Sequence, residues 1–265
     1  MSAPFYPASG FINVNKAEGV SSAREVAVIK RLTGLPCGHM GTLDPMATGV
    51  LPVAVGNATR LFDFFLGKRK RYVAEFTFGF ETDTLDTMGA VVKDGGTVPT
   101  LQQINSALPS LVGEYDQVPP AYSAKSVNGE RGYKLARRGE QVTLPSKRVS
   151  VGEFCCLGQV SQGVFRFEIE CGSGTYIRSL ARDLAALVGT YATMNALCRT
   201  KSGPFEIEYS VETRQLDRDN IYASLIPADS VLPYPEVKLT AGEEKKYLNG
   251  VPVAAELAAG QYRIY

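Results

Sequence analysis

The chain lacks several features that would narrow its function at once. Its 265 residues include no tryptophan, a single histidine and no run approaching the roughly 20 apolar residues that a membrane-spanning helix needs. The N-terminus has no basic region followed by an apolar stretch, so we expect a cytoplasmic protein without contact to a membrane. A Ser-His-Asp nucleophile system would have to use His39, and no G-x-S-x-G sequence supports one.

Cysteine is too sparse and too irregular to indicate a disulfide framework. The five cysteines are odd in number and include no C-x-x-C pair of the kind that binds zinc. We therefore expect reduced thiols in the core and no metal site. These residues are Cys37, Cys155, Cys156, Cys171 and Cys198.

The composition is that of an ordinary globular protein, but its charges are segregated. The net charge is only +1, yet basic residues dominate positions 68–71 and 125–148, and acidic residues dominate positions 206–244. The basic segments could attract phosphates of a nucleic acid, and the alternative is that each is a solvated face. The length favours one large domain with a small appendage.

Periodicity and turn residues predict an α+β fold. The capping-box pattern Ser22-x-x-Glu25 opens a predicted helix that ends at Gly34, and Thr100-x-x-Gln103 opens another. Positions 49–55, 71–80 and 164–171 have the pattern of strands, whereas positions 38–45 are too rich in Gly and Pro for regular structure. Because helices and strands do not alternate strictly, we expect a mixed, mostly antiparallel central sheet flanked by helices.

A helix predicted after Gly174 carries two arginines, Arg178 and Arg182, near its start. Cations are unfavourable at a helix N-terminus, so these side chains are expected to meet an anionic partner or a carboxylate. The apolar stripe of the same helix is predicted to be Ile177, Leu180, Leu184 and Leu187.

Residue types alone leave the chemistry open. Asp44 lies in the Gly-rich loop after His39, and an Asp before Pro is commonly a turn former. The acidic stretch from Glu81 to Asp86 could hold a hard cation for phosphate hydrolysis, or form a solvated hairpin loop, which we favour because all its carboxylates come from one short segment.

Seven motifs between residues 11 and 210 give the chain a specific likeness. Together, and in this order, they resemble the TruB family of pseudouridine synthases. The motifs are Gly38-His39-x-Gly41-Thr42-Leu43-Asp44-Pro45-x-Ala47-Thr48-Gly49-Val50-Leu51-Pro52, Lys70-Arg71-Tyr72, Thr82-Asp83-Thr84-x-Asp86, Pro119-Pro120-x-Tyr122-Ser123-Ala124-Lys125, Gly129-x-Arg131-x-Tyr133-x-Leu135-Ala136-Arg137-x-Gly139, Gly172-x-Gly174-Thr175-Tyr176-Ile177-Arg178-Ser179-Leu180 and Leu197-x-Arg199-Thr200-x-x-Gly203-Pro204-Phe205.

The resemblance implies an isomerase that converts the T-loop uridine of tRNA, position 55 in tRNA numbering, to pseudouridine. In that reaction uracil is detached from its ribose, turned over and reattached through carbon, without cofactor or metal. Asp44 matches the essential aspartate, Arg178 the arginine that holds it by charge-assisted hydrogen bonds, and Tyr72 the aromatic that stacks on the target base. Whether Asp44 attacks the base or the sugar stays open.

The resemblance also implies a set of residues that bind the tRNA T arm. His39 matches the residue that fills the space of the flipped base, and an insertion at about 120–148 is expected to close over the T arm with its basic side chains. The predicted substrate-binding residues are His39, Tyr176, Leu197, Lys16, Asp86, Lys125, Arg137 and Arg138.

The chain departs from the family pattern at its start and at its end. Asn15 and Ala17 stand where Asp and Pro are usual, and Met40 replaces a smaller residue. We expect a catalytic domain over residues 1–235, and only a truncated PUA-like segment over 236–265 where relatives usually carry a full RNA-binding module. We expect a monomer.

Three other functions remain as alternatives. A catalytic subunit of a guide-RNA particle would share the chemistry, but the resemblance there is to longer chains with a full C-terminal module. A tRNA-folding chaperone would need the basic segment and not the candidate catalytic residues. A metal-dependent phosphohydrolase using Asp83 and Asp86 would be sensitive to chelators, whereas the synthase would not.

Overall fold

The structure is a computed structural model that describes residues 9–123, 126–127, 130–131, 144–254 and 257–265. In this part of the chain the helices are α1 (Ser22–Thr33), α2 (Phe62–Leu66), α3 (Leu101–Ala107), α4 (Ile177–Leu187) and α5 (Ala241–Leu248). The strands are β1 (Gly10–Lys16), β2 (Cys37–His39), β3 (Thr48–Val55), β4 (Lys70–Phe78), β5 (Glu81–Thr82), β6 (Val91–Lys93), β7 (Gly113–Gln117), β8 (Ser126–Val127), β9 (Glu130–Arg131), β10 (Lys147–Ser161), β11 (Val164–Cys171), β12 (Ala192–Ser202), β13 (Phe205–Glu206), β14 (Ile226–Pro227), β15 (Glu236–Val237) and β16 (Arg263–Ile264).

One sheet of ten strands organises the molecule. Its order is β14-β1-β3-β12-β4-β11-β10-β7, with β2 added beside β3 and β13 beside β12. Among the described strands of this sheet, only β3 and β12 pair in parallel. The prediction of an α+β fold with a mixed, mostly antiparallel central sheet is confirmed.

The sheet buries one face because its central strands alternate in polarity. Along β4 every second residue from Lys70 to Phe78 is buried, and β11 follows the same period with Phe165, Phe167 and Ile169 inside. Phe76 and Phe167 stack with ring centroids 4.7 Å apart. Helix α4 covers this face with Leu180 and Leu184, both fully buried, so the core lies between the central strands and α4.

Several predicted boundaries are confirmed and others shift. The strand over 164–171 has the predicted bounds, and α3 has the Thr100–Gln103 capping box. Helix α1 is capped by Ser21 rather than Ser22, and Leu187 is exposed rather than part of the buried stripe of α4. Between β3 and α2 the chain forms a 3₁₀ turn over Gly56–Leu61.

The irregular segment predicted over 38–45 is partly regular. Gly38 and His39 belong to β2, which pairs with β3, and the irregular loop therefore begins at Met40. This shorter loop leaves Asp44 close to the end of two hydrogen-bonded strands, which fixes its position more tightly than a free loop would.

The C-terminal residues form a small unit of their own. Strands β15 and β16 pair in parallel, and α5 lies between them in sequence. Arg263 joins this unit to the preceding chain through hydrogen bonds to the carbonyls of Tyr234 and Asp229. Of the helices in the described ranges, none has the length and apolar character needed to cross a membrane.

Candidate active site

A cleft of about 400 Å³ opens at the end of β2, the start of β4, the end of β11 and the middle of β12. Most of its wall comes from the loop after β2, the start of β4, the turn that leads into α4, and β12, with Phe62 and Ser123 added from elsewhere in the chain. Its lining residues include His39, Gly41, Asp44, Lys70, Tyr72, Gly174, Tyr176, Arg178, Leu197 and Arg199.

Asp44 and Arg178 form an ion pair in this cleft. The Arg178 Nε atom lies 3.1 Å from Asp44 Oδ2. The arginine side chain is only 8% exposed, whereas the aspartate side chain is 38% exposed. The carboxylate is thus held from the protein side by a fixed charge while it remains open to the cleft, which is the arrangement that a reacting carboxylate needs.

Arg178 is held by a second carboxylate and two carbonyls. Its Nη1 atom lies 3.5 Å from Asp86 Oδ2 and donates to the Thr84 carbonyl at 2.8 Å, and Nη2 donates to the Tyr122 carbonyl at 3.1 Å. Arg178 therefore contacts two carboxylates, those of Asp44 and Asp86, and the prediction that it meets a carboxylate is confirmed.

The loop that carries Asp86 is a hairpin between β5 and β6, as favoured from sequence, but Asp86 itself is buried and not solvated. Its carboxylate also accepts hydrogen bonds from the Thr84 hydroxyl and the Met88 amide. This geometry favours a role in fixing Arg178 over direct contact with substrate.

The loop that carries Asp44 is tied to helix α1 and strand β1. The Ser22 hydroxyl donates to the Leu43 carbonyl and accepts from the Leu43 amide, both at 2.9 Å. The fully buried Lys16 ammonium donates to the carbonyls of Ala17, Val20 and Pro45. Burial lowers the pKa of Lys16. Lys16 thus supports the loop from within the core. It does not line the cleft, so this position does not favour the predicted contact with substrate.

We expect Lys16→Met to destabilise the fold, because three backbone carbonyls would each lose the hydrogen bond from its ammonium, and only that of Pro45 keeps a second donor among the described residues, the Gly19 amide. An unsatisfied buried polar group costs about 1–3 kcal/mol, so the free energy of unfolding should fall by at least that amount. Urea denaturation measures the change, and Lys30→Met, on the exposed side of α1, is the matched control. Equal stability of the two variants would contradict the supporting role.

Arg199 supports the same loop nearer its start. Its side chain is among the largest that are fully buried, and it donates to the carbonyls of Val50 (2.7 Å), Gly41 (3.0 Å) and Thr42 (3.4 Å). Gly49, with φ of 95°, faces the backbone of Arg199, where a Cβ would collide with the Arg199 carbonyl. The close approach of β3 and β12 therefore requires glycine at this position.

Three predicted pocket residues, Tyr72, Tyr176 and Leu197, form walls of the cleft. Tyr72 is 7% and Leu197 8% exposed, and burial raises the pKa of both tyrosines. Tyr176 is positioned by the Gln117 amide, which accepts from the Tyr176 amide at 2.8 Å and donates to its carbonyl at 3.2 Å. The walls therefore present neutral, apolar surfaces to whatever enters.

His39 and Lys70 complete the cleft near Arg199. Burial and the Arg199 charge lower the pKa of His39, and the same two causes lower that of Lys70. The His39 Nδ1 atom is buried and has no hydrogen-bond partner among the described residues. Burial therefore disfavours the charged imidazole, and the hydrogen-bonding capacity of its Nδ1 atom is unused within the described residues.

The predicted basic segments are only partly available to phosphates. Arg71 and Arg69 pair with Glu170, and Arg148 pairs with Glu114. Lys147 is exposed beside Gly174, at the edge of the cleft. The predicted residues Lys125, Arg137 and Arg138 lie outside the described residues.

The described residues contain no group of three or more His, Cys, Asp or Glu side chains placed to hold a metal ion. Asp83 and Asp86, the ligands of the alternative hydrolase, instead take hydrogen bonds from neighbouring residues: Asp83 from the Ala90 amide and Asp86 from Thr84 and Met88. All five cysteines are free thiols.

The residues that hold the catalytic side chains in place are not apparent from the sequence. The capping pattern places Ser22 at a helix start, no pattern singles out Gln117, and Arg199 and Lys70 appear only as members of motifs. Their common feature is a polar or charged side chain within an otherwise apolar or strand-forming stretch, and such a side chain is expected to be buried only with partners.

The chain is similar to known proteins over most of its length. A family profile described as "TruB family pseudouridylate synthase (N terminal domain)" matches residues 30–177. A protein of Caldanaerobacter subterraneus subsp. tengcongensis named tRNA pseudouridine synthase B is 38% identical over 91% of this chain and 85% of its own length. A protein of the same name from Synechocystis sp. is 40% identical over 91% of this chain and 84% of its own length.

Solved structures share the fold. A chain of a Cbf5-Nop10-Gar1 complex superposes with a TM-score of 0.68 at 26% identity, covering 91% of this chain and 67% of its own. A chain of an H/ACA RNP bound to a substrate RNA containing 2'-deoxyuridine superposes with a TM-score of 0.67 at 25% identity, covering 92% of this chain and 67% of its own. The matched profile spans more than half of the chain and includes Asp44, Tyr72 and Tyr176. The chain therefore belongs to the TruB family of pseudouridylate synthases.

Proposed function

We propose that the protein isomerises the T-loop uridine of tRNA, position 55, to pseudouridine, with Asp44 as its catalytic carboxylate. The observation that carries the proposal is the Asp44–Arg178 pair, in which a buried guanidinium orients a carboxylate that remains open to a cleft with aromatic walls. The relatives that share most of the chain at 38–40% identity are named tRNA pseudouridine synthase B.

The reaction needs an ionised carboxylate beside the ribose or the base. Asp44 is placed for this role because Arg178 stabilises its charge without covering it. Asp86 holds Arg178 from behind, so that the guanidinium does not follow Asp44 as the substrate enters. The pair therefore acts as a fixed electrostatic unit, and its orientation is set before substrate binds.

The target uridine must leave the folded T loop to reach this cleft. Flipping costs a few kcal/mol, and stacking on an aromatic side chain returns about 1–3 kcal/mol per base. Tyr72 offers this surface at the cleft wall. His39, at the cleft, is proposed to fill the space that the base vacates in the RNA.

Replacement of Tyr72 tests the stacking role. Tyr72→Leu should weaken tRNA binding by about 1–3 kcal/mol, or roughly 5- to 150-fold in Kd, while Tyr72→Phe keeps the ring and binds like wild type. Filter binding measures Kd, and thermal melting checks that both variants are folded. Equal Kd values for the two variants would show that stacking does not contribute.

The basic insertion at about 120–148 is proposed to contact phosphates of the T arm. Lys147, exposed beside Gly174 at the cleft edge, supports this location. Replacing both Arg137 and Arg138 by Gln should weaken tRNA binding and lower the slope of log Kd against log salt by about 1 for every phosphate that the protein no longer neutralises. An unchanged slope would refute the assignment.

We propose a cytoplasmic monomer that uses no metal or cofactor. Residues 1–235 would form the catalytic domain, and residues 236–265 a PUA-like segment. Gel filtration of the protein with and without tRNA tests the stoichiometry.

The decisive experiment maps pseudouridine in an unmodified tRNA transcript incubated with purified protein, a chelator and no guide RNA. Product at the T-loop uridine supports the proposal. Product at another position would keep the chemistry and discard the substrate. Product only after addition of guide RNA would favour the guide-dependent subunit, and binding without product would favour the chaperone.

A further inference from the structure

Two cations lie on the cleft face of the central sheet and have no carboxylate partner among the described residues. Lys70 precedes Tyr72 by two residues on β4, so both side chains point to the same face, and Arg199 on β12 is directly opposite Tyr72 in register. A Cβ on Gly41 would lie 3.6 Å from Lys70 Cε and 3.7 Å from Arg199 Nη1. The two side chains thus meet beneath the loop that carries Asp44.

Neither charge is neutralised by a carboxylate within the described part of the protein. Among the described residues, the ion pairs of the cleft join Arg178 to Asp44 and to Asp86. None of them involves Lys70 or Arg199. The Lys70 ammonium donates to the Lys68 carbonyl at 3.2 Å, and Arg199 donates to backbone carbonyls. Buried cations without a counter-ion are costly, so an anionic group entering the cleft would be strongly favoured.

Pseudouridine formation creates such a group. The N1–C1′ bond of uridine breaks with its electron pair on uracil, the C5–C1′ bond forms, and the proton lost from C5 is balanced by one gained at N1. Whether Asp44 attacks base or sugar, negative charge develops on uracil and spreads onto its O2 and O4 oxygens.

We infer that Lys70, supported by the fixed charge of Arg199, stabilises the uracil anion that develops during the reaction. This inference rests on the proposed function and adds a catalytic residue to it. Lys70 lines the cleft but is only 8% exposed. A flat base can present a carbonyl oxygen to this ammonium edge-on.

The Lys70 ammonium is expected to stabilise the transition state more than it stabilises the complex with tRNA. Lys70→Met removes the ammonium and keeps the chain length, and it should lower the single-turnover rate by about 10²- to 10³-fold, as loss of one preorganised oxyanion donor does. The Kd for tRNA and the slope of its salt dependence should stay within error of wild type. Lys70→Arg keeps the charge and should recover most of the rate.

The matched control is Lys201→Met, which removes a half-exposed lysine of β12 that pairs with Glu206. It should leave the rate unchanged. Full activity of Lys70→Met would overturn the inference while leaving the proposed function intact. A weaker Kd and smaller salt slope with an unchanged rate would also overturn it, because Lys70 would then bind a phosphate. Absence of product from wild type would instead refute the proposed function.

An inhibitor comparison tests the same idea on the wild-type protein. 5-Nitrouracil is anionic at neutral pH, whereas uracil, which lacks the nitro group at C5, is neutral. The anion should inhibit wild type more strongly than uracil does, and Lys70→Met should remove the difference. Equal inhibition of wild type by the two compounds would overturn the inference.

Discussion

Asp44→Asn should abolish pseudouridine formation, with a loss of at least about 10⁴-fold, while tRNA binding is retained. Asparagine has the same shape but cannot act as a nucleophile or stabilise positive charge at the sugar. The fold should survive, because Arg178 keeps Asp86 as a second carboxylate partner and its charge is not left unpaired. Mapping of pseudouridine and filter binding with the same tRNA measure the two quantities.

Asp219→Asn is the matched control for Asp44→Asn. Asp219 is exposed in the turn after Leu216, away from the cleft, and its replacement should change neither rate nor binding. Turnover by Asp44→Asn close to wild type would remove Asp44 from the chemistry and with it the central element of the proposed function.

Arg178→Met should both destabilise the protein and inactivate it. The change leaves the Asp86 side chain, which is 10% exposed, as an uncompensated buried charge and removes the donor to the Thr84 and Tyr122 carbonyls. Breaking a buried ion pair in this way costs about 3–5 kcal/mol of unfolding free energy. Loss of the fixed orientation of Asp44 should lower activity by at least about 10²-fold.

A double variant separates the two effects of Arg178. Arg178→Met with Asp86→Asn removes the buried charge together with its partner, so much of the lost stability should return. Activity should not return, because Asp44 still lacks its guanidinium. Urea denaturation and single-turnover rates measure the two outcomes. Recovery of activity in the double variant would show that Arg178 serves only the fold.

Local patterns in the sequence predict those parts of the fold that depend on neighbours in the chain. The alternation from Val164 to Cys171 predicts the bounds of β11, and the Thr100–Gln103 pattern predicts the cap of α3. Arg178 is expected to meet a carboxylate because a cation is unfavourable at the start of a helix, and it does. The family likeness supplies Asp44 and Tyr72, which local patterns alone leave ambiguous.

Local sequence patterns do not predict the side chains that hold the loop of Asp44 in place, because these side chains connect segments that are distant in the chain. Ser22 bonds to Leu43, Lys16 to Pro45 and Arg199 to Gly41, contacts that exist only after the strands have paired. Asp86 resembles part of a solvated turn in sequence because its partner, Arg178, lies on another element. A charged residue can be predicted to be buried only if its counter-ion is known. The periodicity of a sequence does not reveal which residue of another element that counter-ion is.

The position of β12 also bears on how the protein is made. This strand, residues 192–202, lies between β3 and β4, which are synthesised much earlier. Until β12 emerges from the ribosome, the apolar face and the unpaired backbone of β3 and β4 lack their neighbour. The nascent chain therefore cannot complete its sheet, its cleft or its Arg199 contacts until late in synthesis, and the emerging polypeptide is exposed to aggregation until β12 inserts.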